Sequence, residues 1–236
     1  DCQVPLSPPL TSSADHSPEA SSKPIQRIGL IDYGMGNLHS VQTSFERLGQ
    51  PLTQVRNPVD LEGCDALILP GVGAFDPAME KLHSSGLVSH LRSWHERGRP
   101  LLGICLGLQL LFESSGEGKT EGLGIFEGSV QRLPDGEGER IPHMGWGQLR
   151  PHHACPLLPQ GDEQPWVYFV HSYAAIPSKA SDLAATVSFG HGEATAMVWK
   201  QRTGACQFHP EKSAKAGAQI LKHWIGWLQS GAQLPQ

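Results

Sequence analysis

The sequence predicts an α/β protein built on a mainly parallel sheet flanked by helices, with extra antiparallel strands in its second half. Three observations predict it. Up to Phe112, short apolar runs bounded by Gly and Pro alternate with stretches whose apolar residues recur at helical spacing, the pattern of βαβ units. Beyond Val130, strand-like runs follow one another without helices between them, which fits antiparallel additions to the sheet or a small side sheet. A length of 236 residues, 39% hydrophobic and 17% charged, is enough for a sizeable core.

Residues 1–23 are Ser- and Pro-rich and carry no apolar face, so they read as a disordered tail before one domain spanning 24–236. The tail has neither the basic and apolar regions of a signal peptide nor the Arg-rich character of a transit peptide. Arg27 to Asp32 reads as a buried strand, Tyr33 to Asn37 as a glycine-rich turn, and Leu38, Val41, Phe45 and Leu48 as one face of a helix. Strands are expected at Leu52–Val55 and Ala66–Leu69, the latter running into Pro70-Gly71. Leu87, Val88, Leu91 and Trp94 mark a helix that Gly98 ends, followed by a strand over Pro100–Ile104 and a helix over Leu106–Phe112. The later strands are placed at Val130–Leu133, around Leu149, and at Trp166–Tyr173, Leu183–Phe189, Ala194–Trp199 and Gly204–Phe208. A last helix over Ala214–Leu228 carries Ile220, Leu221, Trp224, Ile225 and Leu228 on one face.

Composition narrows the function. A net charge of −5 argues against nucleic acid as the partner, since neutralising phosphates needs clustered positive charge. The longest apolar stretch, Leu101–Phe112, is shorter than the roughly 20 residues that span a bilayer, and no membrane role is expected. Five scattered cysteines with no C-x-x-C pair fit a reducing, cytoplasmic setting better than a disulfide framework. His152, His153 and Cys155 could ligate a metal, but a polar, Pro-rich surface loop explains them and no metal is expected. Gly34-Met35-Gly36 lacks the third glycine of a dinucleotide loop, which His39 replaces, so no cofactor is expected either.

The sharpest signal is Gly103-Ile104-Cys105-Leu106-Gly107 between an apolar strand and a helix. This is the nucleophile-elbow pattern with Cys in the nucleophile position, and a helix N-terminus there favours the thiolate. A buried structural Cys is the bland alternative. Phe208-His209-Pro210-Glu211 follows another apolar strand. His209 and Glu211 project to one side of extended chain, so the carboxylate can orient an imidazole base, while Pro210 puts the pair at a strand end. Taken alone the tripeptide would suit a surface turn equally well. Leu69-Pro70-Gly71-Val72-Gly73 ends a strand as well, and is either a tight turn or a source of backbone N–H donors for an oxyanion alongside Leu106.

At this point the residues resemble the class I, triad-type glutamine amidotransferases over about residues 27–229, which implies a flavodoxin-like fold. More narrowly they are similar to the family of glutaminase subunits of imidazole glycerol phosphate synthase. The narrower likeness rests on Ile31-Asp32-Tyr33-Gly34-Met35-Gly36-Asn37, Pro70-Gly71-Val72-Gly73-Ala74-Phe75, Pro142-His143-Met144-Gly145-Trp146, Tyr168–Tyr173 and Gln207–Ser213. The resemblance implies a triad of Cys105, His209 and Glu211, with oxyanion donors from Gly73 and Leu106. It implies that Gln109, Glu117, His171, Ser172 and Tyr173 hold glutamine. It places Met144, Trp146, Tyr168 and Lys212 against a (β/α)-barrel cyclase subunit. Ammonia released from glutamine would be channelled to that cyclase, which makes imidazole glycerol phosphate and aminoimidazole carboxamide ribonucleotide in histidine biosynthesis. Gly147 departs from the Asn usual after the Gly-Trp pair, which touches the interface contact and not the chemistry. Other triad glutaminases would require neither the D-Y-G-M-G-N nor the H-M-G-W segment. A catalytically silent α/β binding module would be signalled by loss of Cys105, His209 or Glu211, all three of which are present.

Overall fold

The computed structural model describes residues 27–136, 140–158 and 164–234; the expected tail and the first residues of the expected domain lie outside them. In chain order the first half comprises β1 (Ile28–Ile31), α1 (Leu38–Arg47), β2 (Leu52–Val55), β3 (Ala66–Leu69), α2 (Phe75–Ser84), α3 (Val88–Glu96), β4 (Leu101–Ile104) and α4 (Leu106–Leu110). The second comprises β5 (Ser114–Ser115), β6 (Gly128–Arg132), β7 (His143–Pro151), β8 (Trp166–His171), β9 (Tyr173–Pro177), β10 (Leu183–Phe189), β11 (Gly192–Lys200), β12 (Thr203–Cys206) and α5 (Ala214–Gln229).

A nine-stranded sheet has the order β2-β1-β3-β4-β12-β11-β10-β7-β8. Its β2 to β12 portion is parallel, and from β11 to β8 every pairing is antiparallel. A second sheet joins β5, β6 and β9. Both readings of the second half therefore hold: antiparallel strands extend the main sheet and a small side sheet forms as well. The expected strand over 166–173 divides at Ser172, where the chain leaves β7 and passes to pairing with β6.

The parallel strands are apolar on both faces because helices cover both. Ile28, Leu30, Ala66 and Ile68 face α1 and α5, packing with Phe45, Ile220, Leu221 and Trp224. Ile31, Leu67 and Leu69 face the opposite way, toward Phe75, Met79 and Leu82 of α2 and Leu91 and Trp94 of α3. Phe45 meets Trp224 edge to face at 6.2 Å, and both are fully buried. Each such side chain contributes roughly 1.5–3 kcal/mol by burial.

Helix ends follow local chemistry. The Asn37 side chain accepts from the Ser40 N–H to cap α1. Gly98 stands just past α3 with φ 69, the conformation its place in the sequence demands. Helix α2 was not among the expected elements, and α4 is shorter than expected, ending at Leu110.

Candidate active site

The site forms where β4 and β12 lie side by side. Their parallel register pairs Ile104 with Cys206, so the residues that leave the two strand ends, Cys105 and Gln207 onward, emerge together. The Cys105 N–H donates to the Cys206 carbonyl at 2.8 Å, holding the two exits in step. Ligands of open α/β sheets bind at such C-terminal strand ends.

Cys105 sits at φ 55, ψ −114, a conformation that non-glycine residues rarely adopt. The turn is that sharp because both flanking glycines let it be. A Cβ at Gly107 would fall on the Leu69 carbonyl oxygen, and one at Gly103 would crowd Ala205 and the Gly107 backbone. The strained elbow pushes the thiol out of the strand and places it at the start of α4.

His209 is extended and buried, at 3% exposure, and Pro210 opens a single 3-10 turn that brings Glu211 back beside it. The Nδ1 of His209 lies 2.6 Å from Glu211 Oε1, and the imidazole is also hydrogen-bonded to Cys105. Burial alone would lower the His209 pKa. The hydrogen bonds and negative charges of Cys105 and Glu211 outweigh it and raise the value to about 9. The structure thus brings together Cys105, His209 and Glu211, the residues expected from the sequence as nucleophile, base and orienting carboxylate.

The Leu106 N–H donates to the Gly71 carbonyl at 3.2 Å. The peptide unit facing the expected oxyanion position is therefore Gly71–Val72, carbonyl inward, with Gly73 one residue further on. Tyr33 braces this turn: its buried hydroxyl donates to the Pro70 carbonyl at 2.7 Å, and a Cβ at Gly71 would strike that hydroxyl.

Among the expected glutamine-binding residues, Gln109 and Tyr173 meet directly, Gln109 Nε2 donating to the Tyr173 carbonyl at 3.1 Å. The same Nε2 donates to Gln207 Oε1, and Gln207 Nε2 reaches 3.9 Å from Cys105 Sγ. The His171 ring lies 2.8 Å from the Tyr173 carbonyl through Nδ1 and is held neutral, its pKa pulled down to about 4, first by burial. The Ser172 carbonyl accepts from the Leu133 N–H and so anchors the side sheet. Glu117 is half-buried at the start of α2, where the Phe75 N–H donates to it; burial raises its pKa against that bond. Its neighbours are therefore the residues that follow the 70–74 turn.

Strands β7 and β8 bring Met144, Trp146, Trp166 and Tyr168 onto one face: Trp146 is opposite Tyr168, with ring centroids 6.0 Å apart. Met144, Trp146 and Trp166 are exposed at 63%, 51% and 55%, which is unusual for side chains of this size in a strand pair. Lys212 is exposed on the turn beside His209. Gly147 points inward, where a Cβ would strike Val187 and Phe169, so its departure from the family residue falls off this face.

Other expectations resolve elsewhere. His152 meets the Thr186 hydroxyl and His153 the Ala180 carbonyl, while burial drives the Cys155 pKa up to about 11, so these three do not converge. The four described cysteines are free thiols. Among the described residues no helix is long and apolar enough to cross a membrane. Gln207 and Tyr33 were not singled out from the sequence, although both stand inside the quoted segments. Their role depends on contacts made across β4 and β12, or β1 and β3.

The family model for the class I glutamine amidotransferases matches residues 29–225. A protein of Prochlorococcus marinus (strain MIT 9313), named imidazole glycerol phosphate synthase subunit HisH 2, is 65% identical over 89% of this chain and 98% of its own. A namesake from Parasynechococcus marenigrum (strain WH8102) is 61% identical over 88% of this chain and 98% of its own. Among solved structures, a glutamine amidotransferase covers 85% of this chain and 98% of its own at 22% identity, with a TM-score of 0.67. That likeness is one of fold. With an elbow cysteine, an imidazole and a carboxylate in contact and relatives this similar along nearly their whole length, the chain belongs to the class I glutamine amidotransferase family.

Proposed function

We infer that this chain is the glutaminase subunit of an imidazole glycerol phosphate synthase, hydrolysing glutamine and passing the ammonia to a (β/α)-barrel cyclase in histidine biosynthesis. The observation that carries the chemistry is the buried His209, bonded at once to the elbow nucleophile Cys105 and to Glu211. The Cys105 thiolate attacks the carboxamide carbon of glutamine, and the carbonyl oxygen becomes an oxyanion. His209, charged, gives its proton to the departing nitrogen, so ammonia leaves and a γ-glutamyl thioester remains. His209, now neutral, takes a proton from water, and the hydroxide cleaves the thioester to glutamate and restored thiolate. Glu211 keeps the ring turned toward sulfur and offsets its positive charge. Gln109, Glu117 and the 171–173 segment are assigned to glutamine, and the exposed 144–146 and 166–168 face suits the cyclase.

The oxyanion requires N–H donors, and here the Leu106 N–H is taken by the Gly71 carbonyl. Reversing the Gly71–Val72 peptide unit would free Leu106 and turn the Val72 N–H inward, next to Gly73, where the resemblance places the donor. A missing oxyanion donor costs about 2.7–4 kcal/mol, roughly a hundred- to thousand-fold in rate. The isolated chain is then a poor glutaminase, and docking of the cyclase with its ligand shifts the population toward the reversed turn. The test is glutamate release from the chain alone, with cyclase, and with cyclase plus substrate analogue. A stepwise rise is expected, abolished by Cys105→Ala in folded protein. Equal rates in all three conditions, or turnover by the alanine variant, would refute the reading.

A further inference from the structure

A backbone carbonyl can only accept hydrogen bonds, and one such carbonyl sets the direction of a buried chain of amides. The Tyr173 oxygen receives Gln109 Nε2 at 3.1 Å, so Gln109 must present its NH2 group there. The second hydrogen of that nitrogen goes to Gln207 Oε1, also at 3.1 Å. Gln207 thus spends its oxygen on Gln109, and its own NH2 group is left facing Cys105 Sγ at 3.9 Å. Turning the Gln207 amide over would set NH2 against NH2 at one end and oxygen against sulfur at the other. Neither side chain can trade these bonds for water, because Gln109 is 5% exposed and Gln207 fully buried.

We propose that Gln207 is a catalytic residue: its amide N–H donates to the Cys105 thiolate, and the Tyr173 carbonyl, acting through Gln109, fixes that polarity. The proposal rests on the reading of Cys105 as the nucleophile. It adds a second donor to sulfur, one that carries no charge and never leaves. His209 must surrender its proton to the departing amide nitrogen, and at that moment Gln207 remains as the donor that keeps the sulfur aligned. Gln109 and Tyr173 also lie in the region assigned to glutamine, so substrate recognition and thiolate orientation share one hydrogen-bonded chain.

The titratable groups that face Cys105 are His209 with Glu211 behind it, Tyr33 and Cys206. The test is the rate of Cys105 alkylation by iodoacetamide against pH, in the full chain, with Cys105→Ser as the blank for other thiols. In Gln207→Leu the midpoint of the profile should rise by about one to two pH units, and glutamine turnover with the cyclase should fall roughly ten- to hundred-fold, the weight of a hydrogen bond to a charged group. Gln207→Glu, close in shape, turns a carboxylate toward the sulfur and should raise the midpoint at least as far. An unchanged midpoint in whichever of the two variants keeps the native melting transition overturns the proposal. Wild-type chain that alkylates as expected yet releases no glutamate with cyclase and analogue would instead refute the function, leaving the donor in place.

Discussion

His209 and His171 lie in one site, yet their surroundings drive them in opposite directions. His209 keeps its proton to about pH 9 because hydrogen bonds and charges from Cys105 and Glu211 overcome its burial. Its contribution to stability is therefore complete below its ordinary value of 6.5 and is lost as pH rises through about 9. The same deprotonation removes the acid that ammonia needs, so kcat/KM for glutamine should decline above about pH 9 in the active complex. A full pH–rate profile measures it, and activity still climbing at pH 10 would contradict it. His171, pulled down to about 4 by burial first and by His143 and His209 as well, behaves inversely. Its neutral state stabilises the fold fully above 6.5, and that stability drains away as pH falls toward 4. The thermal midpoint should drop over that range, less steeply in His171→Gln. The proposed nucleophile and base are legible because each is declared by neighbours in sequence, glycines around Cys105 and Pro-Glu after His209. Gln207 was not, since its partners Gln109 and Cys105 stand about a hundred positions away and only strand register unites them.

Within the elements, the tightest constraint is the passage from β4 into α4. Gly107 lies against the end of β3, so a methyl group there has nowhere to go but into the Leu69 carbonyl. Gly107→Ala should destabilise the domain by about 3 kcal/mol, the upper end of ordinary overpacking, read from denaturant unfolding. Loss below 1 kcal/mol would mean that β3 and α4 can separate without harm. The strands of the parallel half were legible for the same reason that they are buried, being short apolar runs closed by Gly or Pro. Helix α2 is not legible in the sequence although Phe75, Ala78, Met79 and Leu82 mark one face. Ala74 offers no capping side chain, and Pro77 resembles a breaker unless it is placed in the first turn, where helices accept it. The division at Ser172 has no hydrophobic signature at all. Alternation of inward and outward residues runs through 166–173, while the change of partner strand is decided by β6 and β7, far away in sequence.

Across the whole molecule, the parallel half builds the reactive end and the antiparallel half supplies a face that ends in the edge strand β8. An exposed sheet face bearing Trp146, Trp166 and Met144 invites association, and natural proteins leave such surface uncovered mainly where a partner uses it. Trp146→Ala should weaken cyclase binding by about 2 kcal/mol, near thirty-fold, with the melting temperature of the isolated chain unchanged. Titration calorimetry reads the first and thermal unfolding the second. Equal affinity would move the docking surface elsewhere. The parallel-then-antiparallel arrangement was legible because helices stop alternating with strands after Val130, whereas the order in which β7 and β8 join the edge was not written in any local pattern.

The same edge strand is fastened to the base. The Tyr168 carbonyl accepts the His209 N–H at 3.0 Å, the Tyr168 N–H donates to Ser213 Oγ at 2.9 Å, and that hydroxyl donates to the His209 carbonyl at 2.6 Å. These bonds close a ring through the docking strand and the segment that carries the imidazole. If the cyclase docks on this face as proposed, pressure on Tyr168 would meet a buttress that holds the imidazole in place. Under the same proposal, communication between subunits would fall to the glycine-flanked Gly71–Val72 peptide, which one hydrogen bond to Leu106 holds in its present orientation. The anvil would then be fixed, and the hammer side of the pocket would be the one to answer the partner.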